Sequence, residues 1–529
     1  METKNAATDA AVNLNAQAIQ LTQHAARLTI AGLFRQQVKR TRHKTALEDK
    51  HRRFSYGELD ERVNRLANAL STRGIRRGDR ITILAENRLE YVELELAVAK
   101  LGVILACQNW RQSDGELEHC IRLVSPRAVF VSARYADVLQ RIAHGVETVI
   151  HIDSEYEDML KASSSDEAGS GLDIDPEEGL IILYTSGTTG LPKGALISQR
   201  AMVARAVIGH MDGMLDAGDT FIAWAPLCHM VSTDQAYGTL TSGGKVIVMD
   251  GLDVPKLVSI IAREEIGHLT LIPGMVDRII EEVRRTGTKA KGIRGLGCMA
   301  DLVPRDQIAQ VTQLLQAPFR NSFGSTETGS PPATLGQIPI GVVPTKLSKV
   351  QSSFCEIRLV DENDDEVEDG LPGELAMRGP SLFSGYWGAP EATAKDFRNG
   401  WFHMGDMFVR NADGTLDYVD RRKYLIKSGG ENIYPAEIER VLLACDRIAD
   451  AVVVRRKDSR WGEVPVVFVV KADQALTQED VIRECKGKIA DYKLPKQVVF
   501  VPDEELPRST TGKIKRHELE ERPEIAGHA

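Results

Sequence analysis

At 529 residues the chain is too long for a single hydrophobic core, and at roughly 150 residues per domain several packed units are expected. Apolar residues make up 43% and charged residues 27%, with a net charge of −9, which is the profile of a globular protein and excludes a chain dominated by disorder. That charge is spread without a basic stripe or polybasic tail, which argues against nucleic acid as a partner, and no apolar run approaches the roughly 20 residues that span a bilayer.

Residues 1–27 are polar and rich in Ala, Gln and Asn, lack the basic and apolar regions of a secretory signal, and read as a frayed tail or a helix. From Phe54 to Leu105 an amphipathic helix carrying Leu59, Val63, Leu66 and Leu70 leads through Gly74 and Gly78 to a strand at Arg80 to Leu84 and a further helix. The alternation recurs at Arg127 to Leu139 and at Lys245 to Arg285, where a strand (Lys245 to Met249), a helix (Val254 to Glu265) and a strand (His268 to Ile272) follow one another. It predicts an α/β fold with parallel, helix-covered sheets. Gly179 to Tyr184 is a strand-sized apolar run. Beyond about Asn321 short β-like segments separated by acidic or Gly turns predict a small β-rich subdomain at about 340–420, inside an N-terminal domain of residues 28–422. The acidic run Asp361 to Asp369 reads as a solvated hairpin tip. A small α+β domain, residues 424–529, follows, with a helix at Pro435 to Ala444 and strands at Ala451 to Arg455 and Val464 to Val470. Seven scattered cysteines with no Cys-x-x-Cys pair indicate neither a disulfide framework nor a zinc site and suit a reducing, cytoplasmic setting.

The segment most informative about chemistry is Tyr184-Thr185-Ser186-Gly187-Thr188-Thr189-Gly190-Leu191-Pro192-Lys193-Gly194, which directly follows the apolar run. Glycines let backbone N–H groups approach an anion, hydroxyls add donors and Lys193 adds a point charge, a combination suited to a polyphosphate. The order does not fit G-x-x-x-x-G-K-[ST], because Pro192 stands five positions after Gly187, so a Walker-type ATPase is disfavoured.

On this segment and several that follow in order, the chain resembles the adenylate-forming superfamily of acyl-CoA synthetases, nonribosomal-peptide adenylation domains and firefly-type luciferases, from about Leu33 to Arg516. By that resemblance Thr185 to Gly190 and Lys193 bind the phosphates of ATP. The stretch Asn321-Ser322-Phe323-Gly324-Ser325-Thr326-Glu327 is similar to the nucleotide and magnesium motif, which implies Asn321 in the nucleotide site, Phe323 on adenine, Thr326 at phosphate and Glu327 on Mg²⁺. Gly373-Glu374-Leu375 and Gly385-Tyr386-Trp387 look like a structural motif, and Trp401 to Asp406 like the segment whose Asp406 binds ribose, with Met404 where the family has Thr. Asp420 to Lys423 and Ser428 to Pro435 resemble the hinge of a mobile C-terminal domain, with Arg421 on ribose, Lys423 as pivot and Gly430 lining a pantetheine tunnel. Leu506 to Ile514 is similar to the last motif, whose lysine, here Lys513, enters the site during adenylation.

The resemblance implies two steps, a carboxylate attacking the α-phosphorus of ATP and a thiol then attacking the acyl-adenylate, with ATP, Mg²⁺ and coenzyme A as cofactors and co-substrates. The local match is closest to benzoate-type CoA ligases, in which Trp461 and Tyr492 fall at aromatic contacts to the CoA nucleotide. CoA is favoured over a carrier-protein thiol because little chain follows Lys513; delivery of the acyl-adenylate to a carrier protein is the alternative. The acyl pocket implied by the resemblance takes His229 and Met230 with Cys298, Met299, Ser322 and Gly324, and Ala300 lies at the nucleotide. By the same resemblance His229 gates that pocket and stands with Lys513 and Glu327 as a catalytic residue. Met299 and Asp301 replace the family's usual Gly and Pro, which disfavours long straight chains and points to an aromatic, alicyclic or short to medium substituted acid. The polar stretch Ser232-Thr233-Asp234-Gln235 hints at a substituted or hydroxylated acid, against the plainer reading in which Asp234 simply faces solvent. A homodimer is one assembly compatible with this reading.

Overall fold

The computed structural model describes residues 18–19, 21–168, 174–185, 191–272, 274–428, 431–508 and 514–526. The N-terminal part is built on two mostly parallel sheets. In the first, the strands lie in the order Val149–His151, Ala128–Val131, Arg80–Leu84, Ile104–Cys107, Gly179–Thr185 and Lys193–Ser198, and only the last pair is antiparallel. The second runs Gln337–Ile338, Phe319–Asn321, Gly292–Cys298, Glu265–Thr270, Thr220–Ala223, Lys245–Val248, Thr45–Glu48 and Arg53–Ser55, parallel throughout except at its two edges.

Ala128–Val131 and Ile104–Cys107 are buried at every position, as parallel strands covered on both faces must be. The helix Leu89–Leu101 is buried from Leu89 to Lys100, and Met230–Thr241 is buried over nearly its whole length, because one continuous core joins both helices to strands of both sheets. Neither helix is amphipathic, which is the pattern expected of a helix between layers. Tyr56–Thr72 starts on a capping box between Ser55 and Glu58 and buries Leu59, Val63, Leu66 and Leu70, the stripe read from the sequence. The strand expected at His268 to Ile272 instead occupies Glu265–Thr270, since the helix Val254–Arg263 ends where Glu264 is already extended.

An antiparallel sheet of Glu356–Val360, Pro372–Arg378, Trp401–Arg410 and Phe397–Arg398, with Leu416–Arg421 beside Trp401–Arg410, forms the β-rich part. The acidic run is the connection between its first two strands, folded by the Asp361 carboxylate accepting from the N–H groups of Asn363 and Asp365. A further sheet carries Glu431–Ile433, Ile426–Ser428, Gly462–Lys471 and Ile448–Asp458, with Gln497–Phe500 on Gly462–Lys471, and packs against the helix Pro435–Leu442. Among the described residues no helix is long and apolar enough to cross a membrane.

Asn87, just past the strand Arg80–Leu84 of the first sheet, reaches the carboxyl ends of two strands of the second. Its amide nitrogen donates to Ala225 O (2.7 Å) and Met249 O (3.0 Å), and its oxygen accepts from Leu227 N (2.7 Å). This buried carboxamide fixes the loop leading to His229. Asn87→Ala strands these backbone groups, and denaturant unfolding is expected to show a loss on the order of 3 kcal/mol.

Candidate functional site

The phosphate-type segment spans the end of an antiparallel hairpin. Thr185 ends one strand and pairs with Lys193, the first residue of the return strand. Ser186, Gly187, Thr188, Thr189 and Gly190 lie outside the described residues. Gly385-Tyr386-Trp387 lies along the free side of the return strand: Leu196 N donates to Gly385 O (3.0 Å) and Trp387 N to Gly194 O (2.8 Å). This sets the Tyr386 ring 4.3 Å from Lys193 Nζ, while the Tyr386 hydroxyl donates to Glu327 Oε1 at 3.0 Å. Asp396 Oδ2 stands 3.8 Å from Lys193 Nζ. Burial, with the Glu327 and Asp396 charges, pushes the Tyr386 phenol well up, so it stays a donor near neutrality.

Asp406 and Arg421 are register partners on neighbouring strands, and Arg421 Nε lies 3.2 Å from Asp406 Oδ1. The Asp406 charge is the main cause of an upward shift at Arg421, which keeps the guanidinium charged. Phe323 packs edge-on to Phe408 (4.9 Å between centroids) and tilted against Tyr418 (5.7 Å). Asn321 accepts from Ala300 N (2.9 Å) and donates to Leu347 O (2.6 Å), so its amide positions the turn at Ala300. Asp301, the residue in place of proline, is bound by Lys349, whose side chain is fully buried. Burial pulls the Lys349 ammonium down against the opposing pull of Asp301.

The acyl-pocket candidates gather at strand ends. Cys298 and Asn321 are register partners that end neighbouring strands, which brings Met299, Ser322 and Gly324 together. A side chain at Gly324 would meet Gly329 O at 2.1 Å, so that position admits only glycine. Burial pushes the Cys298 thiol up to about 12, which leaves it unreactive. His229 caps the helix Met230–Thr241, its Nδ1 accepting from Val231 N at 3.3 Å, and Met230 is buried beside it.

The polar stretch after Met230 differs from the expectation. Ser232 donates to Ala225 O (2.7 Å) and Thr233 to Leu227 O (2.6 Å). Asp234 is buried rather than solvent-facing, with both carboxylate oxygens on Arg205. Three of the four polar groups are therefore satisfied within the fold, and their polarity says little about the substrate. Gln235 Oε1 is buried without a partner among the described residues.

At the proposed hinge, Lys423 sits in a short turn, Arg422–Tyr424, with its Nζ 4.9 Å from the Tyr424 ring. Trp461 (42% exposed) and Tyr492 (41%) are exposed aromatics with Arg460 and Lys493 beside their rings. Gly430 and Lys513 lie outside the described residues.

The profile of the AMP-binding enzyme family matches residues 34–387, and that of the AMP-binding enzyme C-terminal domain matches residues 437–513. The chain belongs to this family. It is 33% identical to the indoleacetate–CoA ligase of Aromatoleum aromaticum over 494 residues, covering 90% of this chain and 94% of the relative. It is 31% identical to a feruloyl-CoA synthase of Amycolatopsis sp, covering 91% and 96%. The o-succinylbenzoate CoA synthetase of Bacillus subtilis, solved with its acyl-adenylate intermediate, superposes with a TM-score of 0.82 at 26% identity, covering 93% of this chain and 98% of that one.

Within this AMP-binding framework, the sequence marks Tyr386 only as structural and does not single out Asp396, Arg205 or Lys349, although a charged residue between apolar neighbours was a usable signal for Arg205. Glu374, also read as structural, accepts from Gly405 N (3.2 Å) and so holds the turn carrying Asp406. Burial alone would raise its carboxyl, but His403, Arg422 and Arg398 overcome this and bring it down to about 2. A depressed carboxyl stabilises the fold fully above its ordinary value of 4.5 and loses that contribution as the pH falls toward 2. Glu374→Gln is expected to lower the denaturation midpoint at pH 7, with the gap to wild type narrowing as the pH falls from 4.5 toward 2 in parallel unfolding curves.

Proposed function

We propose that the chain is an AMP-forming acid–CoA ligase. A substrate carboxylate oxygen attacks the α-phosphorus of ATP, the bond to the bridging oxygen breaks, and pyrophosphate leaves. The CoA sulfur then attacks the acyl-adenylate carbonyl, AMP departs, and the thiol proton passes to solvent. The observation that carries the reading is the convergence of Lys193, Tyr386 and Glu327 at one end and of Asp406, Arg421 and Phe323 at the other. Lys193 offsets phosphate charge, Asp406 accepts ribose hydroxyls, Arg421 orients Asp406, and Phe323 offers an aromatic face to adenine.

Glu327 suits Mg²⁺: one of its oxygens is fixed by Tyr386, and a single carboxylate is enough for an ion that arrives with phosphates and keeps several waters. When bound, Mg²⁺ would supply countercharge to the phosphates. Exposed Trp461 and Tyr492, with their neighbouring cations, suit the CoA nucleotide, and Gly430 the pantetheine arm. Lys423 would be the pivot that exchanges Lys513 for the thiol tunnel between the two steps. Relatives named for indoleacetate and ferulate, together with Cys298 and Met299 in the pocket wall, favour a ring acid, and Gln235 is the one group of the polar stretch left to meet a ring substituent. Seven free thiols fit a cytosolic setting.

The deciding experiment is ATP- and CoA-dependent thioester formation over benzoates, hydroxycinnamates, arylacetates, alicyclic acids and medium-chain fatty acids, with AMP and pyrophosphate quantified. Thioester with ring acids is expected; AMP without thioester would redirect the second step to a carrier protein. Asp406→Ala should lower kcat/KM for ATP about a hundredfold. Lys513→Ala should cripple pyrophosphate release while leaving thiolation of a supplied acyl-adenylate nearly intact, and equal losses in the two half-reactions would refute the pivoting scheme.

A further inference from the structure

Arg205, on the helix Gln199–Met211, has a side chain only 2% exposed and meets three separate segments. Nη1 lies 3.1 and 3.3 Å from the two carboxylate oxygens of Asp234, Nη2 donates to Thr326 O (2.9 Å), and Nε donates to Ser381 O (3.1 Å). Asp234 belongs to the helix capped by His229, Thr326 immediately precedes Glu327, and Ser381 begins the segment that leads to Tyr386. Gly329, in the left-handed region at φ 75°, is where a side chain would come within 2.8 Å of Arg205, so the chain leaves room for the guanidinium there.

We propose that Arg205 and Asp234 are positioning residues that lock the helix behind the acid pocket to the Thr326-Glu327 end of the nucleotide motif, so that Glu327 and Tyr386 are held for the metal-bound triphosphate. The inference rests on the ligase reading for the role of Glu327. A guanidinium that binds a carboxylate and two backbone carbonyls in fixed directions cannot be replaced by an ammonium, which has no planar fork. Removing Asp234 leaves a buried positive charge whose remaining contacts are those two carbonyls, and the loop carrying Glu327 loses its fixed distance from the helix.

The position predicts a split between two nucleotides. AMP engages the Asp406, Arg421 and Phe323 end, whereas MgATP also needs Glu327. Binding of MgATP and of AMP is measured by calorimetry on wild type, Arg205→Lys, Asp234→Asn and the double variant, with near-ultraviolet circular dichroism confirming the fold. Each single variant is expected to weaken MgATP about tenfold or more and AMP less than about twofold, and the double variant to be no worse than the weaker single. Parallel losses for AMP and MgATP would show a merely structural role, and unchanged MgATP binding would show none; either overturns the proposal. Asp234→Asn is isosteric and keeps the test open should Arg205→Lys fail to fold. Wild type binding neither nucleotide would refute the ligase reading itself.

Discussion

The site depends on a place where the carboxyl end of a strand in one parallel sheet meets the carboxyl ends of two strands in the other, and a buried carboxamide holds them there. Asn87 comes from the end of a strand in one sheet and takes backbone groups from the ends of two strands in the other. Strand ends are where a parallel sheet has backbone groups left over, and ligands of such folds gather outside those ends. Using one side chain to satisfy several of these groups leaves the surrounding loops fixed enough to carry chemistry.

From that anchor the site is assembled by side chains that bridge segments distant in sequence. Tyr386 stands between the cation of the hairpin and the carboxylate of the nucleotide motif, Glu374 holds the turn bearing Asp406, and Lys349 holds the turn at Asp301. Each is a buried polar group tied to a partner from another segment, so each is held in place, and rigidity is what alignment of a carboxylate with a phosphorus atom requires. The apolar core supplies the layers, and these few polar bridges set their relative placement.

Layering was legible in the sequence because buried strands and helices carry it locally: the apolar run at Gly179 and the stripe Leu59, Val63, Leu66 and Leu70 needed no partner to be read. Lys193 was recognised, but not that it opens a return strand in register with Thr185, since pairing depends on both strands at once. Asp234 and Asp301 were the least readable. A carboxylate in sequence looks the same whether it faces water, a substrate or a guanidinium, and their partners Arg205 and Lys349 lie 29 and 48 positions away. Residue types and motif order reach the nucleotide site; the ties that hold it together are long-range and appear only in the fold.

The segment around Gly385 also closes the open edge of the first sheet. Lys193–Ser198 is its last strand, and the backbone groups of Gly194 and Leu196 are taken up by Ser384, Gly385 and Trp387. An uncovered edge of a largely apolar sheet is a template for pairing with other chains. During synthesis that edge stays bare until the chain beyond Trp387 has emerged, long after the strand itself is made. The first sheet therefore cannot become a self-contained, association-resistant unit ahead of the β-rich part, and the two are bound into one folding event.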